Sequence, residues 1–444
     1  MRSLARASSF VVVTTALAAV ACGCNTGSST GRSQRTASVR VLHASPDAPP
    51  VDVLVDGVVA LAGVPYEGAS GYLPLAAGRR RLEVAPAGTT TAVIDVTTNL
   101  APRARYTAIA LGRVASIGAL LLEDDAAPVA HDEVRLRVVH AAAGVGAVDV
   151  YLTAPDADLV GLAPTLDDVR LGDASGELTV PAGAYRVRIT PGAGGAPVYD
   201  SGAVTLPGGA ALCVAAVETD EGASPVKLLA LTGDPAAPAL ALADRRALVR
   251  VVHASPDAPD VDVLVDGAVA LAGVPFRAAS GYLEVDRGER RAQVNPAGTT
   301  TSVIDAALTL AGSRAYTVLA VDRVAAIGAL VLEDDRRAPV PGQVRLRLVH
   351  AAPSAGDVDV YVTAPGADLQ TATPTLAGFA FRDASAYLQV PAGAYRVRIT
   401  LAGTKTVAID TGAVTLPAGA VATGVAVDPL PGTSAFGALL FADR

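Results

Sequence analysis

The sequence predicts an all-β protein of four tandem antiparallel β-sandwich domains, immunoglobulin-like in architecture, behind an export signal and a flexible tether. Three observations carry that reading. A long internal repeat recurs at an offset of 210 residues. Within it, short runs rich in Val, Ile, Leu and Tyr are punctuated every eight to twelve residues by Gly, Pro, Asp or Asn. No stretch sustains the 3.6-residue apolar period of an amphipathic helix.

Residues 1–24 read MRSLARASSFVVVTTALAAVACGC. Arg2 and Arg6 form a basic n-region, and residues 10–21 form an apolar run too short to span a bilayer. This is the pattern of a secretory signal. Its end, Ala19-Val20-Ala21-Cys22 or Ala21-Cys22-Gly23-Cys24, resembles a bacterial lipobox without the customary leucine. The expected lipid attachment is Cys22 (or Cys24). Neither following residue, Gly23 or Asn25, is the aspartate associated with inner-membrane retention. The expected location is therefore the outer membrane or cell surface, with the lipid as membrane partner. Residues 25–38 are polar and read as a tether reaching on the order of 20 Å.

The repeat sets the domain organisation. Residues 39–125 align without a gap with 249–335, and PAGAYRVRIT at 181–190 recurs at 391–400. Each copied block is itself a degenerate pair, because VRVLHA at 39–44 parallels VRLRVVHA at 134–141 and both resume at Val-Asp-Val. The expected domains are 39–127, 134–233, 247–337 and 343–444, with linkers at 126–133, 235–246 and 336–342. His43, His140, His253 and His350 head the four units.

In the first unit the expected strands are VRVLHA, VDVLVDG, SGYLPL, RRLEVA, TAVIDV, ARYTAIAL and SIGALLLED. Asp52 alternates with Val51 and Val53, which reads as a solvent-facing position, and Asp56-Gly57 reads as a tight hairpin turn. Seven or so strands in about 95 residues suit a sandwich. The Cys…Trp…Cys marker of true immunoglobulin domains is missing, since Trp is absent and the other cysteine, Cys213, lies in the apolar run AALCVAAV. That residue reads as a buried structural thiol.

Charge and composition narrow the function. The net charge is −8, and losing Arg2 and Arg6 with the signal makes the mature chain more acidic still. Nucleic-acid binding, which needs a basic face, is excluded as an expectation. Aromatic residues are only 4% of the chain, leaving few rings for stacking against sugars or bases.

The motif V-R-V-x-H-A-S-P-D-A-P-x-V-D-V-x-V-D-G at 39–57 and 249–267 resembles the bacterial domain-of-unknown-function family numbered 4397. S-G-Y-L at 70–73 and 280–283, and I-G-A-L-x-L-E-D-D at 117–125 and 327–335, fit the same family. The second and fourth units match more loosely and lack S-P-D. The resemblance implies secreted or anchored tandem modules and supplies no catalytic residue.

Several constellations could carry chemistry. His43, Ser45 and Asp47, with His253, Ser255 and Asp257, hold the residue types of a serine hydrolase. They lie two apart around a proline turn, however, and a triad needs side chains converging from separate elements. The expectation is that His ends its strand and bonds a neighbouring backbone or carboxylate group. Asp47, Asp52 and Asp56 raise calcium, but without a known loop spacing. Glu123-Asp124-Asp125 and Glu333-Asp334-Asp335 read as solvated strand ends. Zinc lacks a ligand set, so no cofactor or metal is expected. The functional expectation is a non-enzymatic, lipid-anchored envelope protein acting as a surface binding or adhesion module. Its partner would be an envelope protein or polysaccharide contacted through the S-P-D-A-P loops. A passive stalk is the alternative, and a secreted hydrolase the least favoured reading.

Overall fold

The computed structural model describes residues 36–192 and 195–444. The signal, Cys22, Cys24 and most of the tether lie outside the described residues. The last tether positions, Thr36–Ser38, are already strand, and Ala37 is buried.

The first domain has eight strands: β1 (Thr36–Ala44), β2 (Val51–Val55), β3 (Val58–Val64), β4 (Leu73–Ala76), β5 (Gly78–Pro86), β6 (Ile94–Leu100), β7 (Arg105–Leu111) and β8 (Gly118–Asp124). They form two four-stranded sheets, ordered β4-β1-β7-β8 and β3-β2-β5-β6, packed face to face as a sandwich. The strand that the sequence reading missed is β3. Its residues VVALAGV do not alternate with polar ones, and Val58 and Val59 are exposed on the sheet edge. It pairs with β2 across Asp56-Gly57, whose positive φ values of 51° and 78° give the turn the twist a two-residue hairpin requires.

One pair departs from the expected antiparallel pattern: β1 and β7 run parallel. Between them the chain crosses to the other sheet for β2 and β3, returns along the edge as β4, and crosses again for β5 and β6. The same parallel pairing recurs in each of the other three domains.

The second domain comprises β9 (Glu133–His140), β10 (Val148–Thr153), β11 (Leu166–Val169), β12 (Leu178–Pro181), β13 (Gly183–Thr190), β14 (Tyr199–Leu206), β15 (Ala211–Glu218), β16 (Val226–Leu231) and β17 (Ala239–Leu242). The last of these falls in the expected linker 235–246. It pairs antiparallel with β16 and makes that sheet five-stranded, ordered β12-β9-β15-β16-β17. The third and fourth domains repeat the eight-stranded plan, beginning with strands Arg246–Ala254 and Gln343–Ala351.

The domains of a block share a core. Along β1, Val39 and Val41 face their own sandwich, whereas Leu42 and Ala44 face the neighbouring domain. There, with Ile109, they form one cluster with Val139, Ala141, Ala215, Val217, Leu229 and Leu231 of the second domain. Val252, Ala254, Leu319 and Val321 meet Val349, Ala351, Val425 and Val427 in the same way in block two. Because β1 is covered on both faces, it reads as nearly continuous apolar sequence.

Block two rests tail-first on the head of block one, the end where the His turns lie. Arg336 donates to the Gly222 carbonyl (2.8 Å), Arg444 pairs with Asp220 (3.1 Å) and the Asp244 amide donates to Ser313 Oγ (2.7 Å).

Candidate functional site

The S-P-D-A-P loop is built around a buried imidazole. His43 is fully buried at the end of β1 and meets the Tyr66 ring edge-on at 6.1 Å. The Ser45 amide donates to His43 Nδ1 (3.3 Å), and Nε2 donates to the Pro49 carbonyl (3.3 Å). The ring is therefore the neutral Nε2–H tautomer and closes the turn from within. Burial holds its pKa below the usual value, opposed by the Pro49 bond. His253 repeats the arrangement with Ser255 and Pro259. In domains two and four the amides of Ala142 and Ala352 donate to Nδ1, and the carbonyls of Gly146 and Gly356 accept from Nε2. The lock uses only backbone partners, so the loops that lack Ser and Asp keep it.

The structure does not bring His43, Ser45 and Asp47 together as a catalytic set. Ser45 is fully buried and its Oγ has no partner, as is true of Ser255. Asp47 Oδ1 turns away to accept from the Val114 amide (2.9 Å), tying the loop to the 3-10 turn Val114–Ser116. Asp257 does the same with Val324 (2.8 Å). The exposed surface of each loop is Asp47, Pro49 and Pro50, and Asp257, Pro259 and Asp260.

Asp52 corrects the sequence reading, since it is 9% exposed rather than solvent-facing. Its carboxylate accepts from the amides of Gly63 (2.7 Å) and Gly88 (2.9 Å), pinning two turns to β2. Asp56 accepts from the Arg81 amide and Arg80. The three aspartates thus point to separate backbone groups instead of converging on a cation. Among the described residues, no group of three His, Cys, Asp or Glu side chains is placed to hold a metal ion.

A second constellation went unread in the sequence. The arginine three residues before each histidine faces the neighbouring domain, and Arg40, Arg250 and Arg347 are each 3% exposed. In block two the arrangement is reciprocal. Arg250 reaches across to Asp443 (2.5 Å), and Arg347 reaches back to Asp334. Each aspartate also accepts from its own domain's threonine, Thr317 to Asp334 and Thr423 to Asp443 (both 2.7 Å). Tyr282 and Tyr387 donate to the same two carboxylates. Asp334, read as a solvated strand end, is therefore buried. Charges removed from water here are paired and hydrogen-bonded, as burial demands.

Block one keeps half of this network. Asp124 receives Tyr72 (2.8 Å), Thr107 (2.6 Å) and Arg137 (3.2 Å), while Arg40 donates to the Leu231 carbonyl (2.8 Å). At the positions of Tyr387, Thr423 and Asp443 stand Glu177, Cys213 and Gly233. A Cβ on Gly233 would lie 2.4 Å from the Tyr72 ring, so only glycine fits there. Cys213 is 1% exposed, and burial pushes its thiol up to about 11, the setting of an inert packing group. The signal for this cluster was the arginine that stands three residues before each of the four histidines. A lone charge in an alternating strand reads as solvent-facing until the covering domain is known.

The model of the family described as "Domain of unknown function (DUF4397)" matches residues 37–151, 247–361 and 362–444. The first two matches each run through an odd-numbered sandwich and into the first two strands of the next. No curated protein matches the chain. The solved structure of the Bacillus anthracis TIE protein is similar at 9% identity, over 89% of this chain and 69% of that one, with a TM-score of 0.16. That superposition is too poor to carry an argument.

Proposed function

Starting from a chain that belongs to the DUF4397 family in tandem copies, we propose a lipid-anchored, non-enzymatic envelope protein that presents its S-P-D-A-P loops as repeated contact surfaces. The observation that supports this reading is the construction of the loop. A fully buried histidine fixes its backbone from inside and an exposed aspartate ties it to the neighbouring turn, leaving Pro49 and Pro50, or Pro259 and Asp260, rigid and outward. A pre-ordered loop loses little entropy on binding, and two copies on one chain add avidity to weak contacts. Anchoring through Cys22 or Cys24 would set these surfaces at the outer membrane or cell surface. An envelope protein or polysaccharide remains the partner class. The passive stalk is kept as a second reading because block two sits tail-on-head on block one through ion pairs and buried hydrogen bonds.

The test is a photocrosslinking residue at position 50 or 260 of the cell-anchored protein. Removing the whole loop is unsuitable, because it would strip His43 and His253 of their carbonyl partners. Reproducible adducts with one envelope component support the binding reading. Adducts confined to the chain itself reject it and favour the stalk. Release of the intact chain from membranes by substitution of both Cys22 and Cys24 checks the anchor.

A further inference from the structure

The fourth domain encloses a cavity of about 570 Å³ between its two sheets. The corresponding interiors of domains one, two and three hold only about 80, 60 and 50 Å³. A cavity this size lies within the range of small-molecule sites, whereas packed cores leave few voids larger than a water molecule.

Its origin is legible by comparison with the second domain at the 210-residue offset. Val214 is replaced by Gly424, Leu228 by Ala438 and Tyr199 by Ile409, and all three replacements line the cavity. The second domain is also closed by β17, whose Leu242 packs against its core and accepts a hydrogen bond from Tyr199 (2.8 Å). Among the described residues, no strand takes that place beside strand Gly437–Ala442; domains one and three lack such a strand too and stay filled, so the replacements at 409, 424 and 438 set the fourth domain apart.

We propose that this chamber binds a neutral, unbranched aliphatic chain, such as the acyl chain of a lipid. The walls are mainly aliphatic and aromatic, with Leu348, Val360, Val397 and Phe436 among them, and His350, Asp410 and Thr411 supply the polar part. The slot follows the length of strand Val407–Leu416, which suits an extended chain better than a compact ring system. The carboxylate near the opening, Asp410, is already paired with Arg396 (2.5 Å) and held down to about 2 chiefly by that bond. It stays charged and offers an anionic head nothing, so a polar head would remain outside. The predominantly apolar walls favour an apolar guest. The replacements lie on the inner faces of the sheets. They therefore favour a guest within the sandwich over a strand added at its edge.

The experiment uses the full mature chain, with N-phenyl-1-naphthylamine as a neutral fluorescent probe and 1-decanol as competitor. Expected is saturable probe fluorescence, displaced by decanol. Gly424→Val with Ala438→Leu should weaken it at least tenfold and raise the melting temperature. A Cβ at 424 would meet only the tip of Leu348 at 3.1 Å, which can yield. If the double variant fails to fold, Ala438→Leu alone serves. Lipid that co-elutes after incubation with phosphatidylethanolamine vesicles, and is lost in the filled variant, identifies a bilayer source. Decanol binding without co-elution identifies a free chain. No saturable binding, or undiminished binding by the filled variant, overturns the proposal. So does a dimer by sedimentation whose dissociation is needed to admit the probe, because the occupant would then be a second copy.

Discussion

His43 and its three counterparts show how a residue type associated with catalysis becomes a structural lock. Each accepts one backbone amide and donates to one backbone carbonyl, and a second proton would break the first bond. For His43 and His253, burial lowers the folded pKa, so the unfolded chain takes up the proton that the folded chain refuses. This stability is fully present above the usual value of 6.5 and is lost as pH falls below it. The melting temperature should drop through that window in calorimetry, and His43→Gln with His253→Gln should flatten the drop while lowering the plateau. Ser45→Ala and Ser255→Ala should be neutral or stabilising by up to about 1 kcal/mol in urea titrations, since each removes a buried hydroxyl without a partner. A loss above 1 kcal/mol would show that the hydroxyl is used. Asp334→Ala should cost about 3–5 kcal/mol by leaving Arg347 buried and unpaired. The histidines could be read from the sequence because they recur beside turns. The arginines could not, because Arg40 occupies a polar slot whose covering surface lies nearly two hundred residues further on, at Leu231.

At the scale of elements, alternation and turn chemistry located seven of the eight strands of the first domain. The Asp56-Gly57 hairpin was legible because few other dipeptides accept two positive φ angles in succession. Gly57→Ala should therefore destabilise by about 1 kcal/mol or slightly more, measured as a lowered urea midpoint at unchanged slope. The edge strand β3 escaped notice because exposed valines carry no periodic signal. β17 escaped because ALAL between prolines and charges resembles a linker until β16 is seen to need a neighbour. The parallel pairing of β1 with β7 was equally hidden, since strand direction depends on crossovers that the local pattern does not encode.

For the whole molecule, the repeat located four domains but not how they cohere. The sharing of Leu42, Ile109, Val139 and Leu229 in one cluster makes the two-domain block the unit of stability. Residues 36–243 expressed alone should melt in one calorimetric transition, whereas residues 36–128 alone should melt lower or bind a dye for exposed apolar surface. Two separated transitions from the block would contradict this. The fifth strand of the second domain has a further consequence for how such chains can lengthen. A segment that leads to the next block and also seals the previous sandwich makes extension and vacancy mutually exclusive. A segment like 235–246 laid beside strand Gly437–Ala442 would place its Leu242 counterpart to stopper the fourth domain.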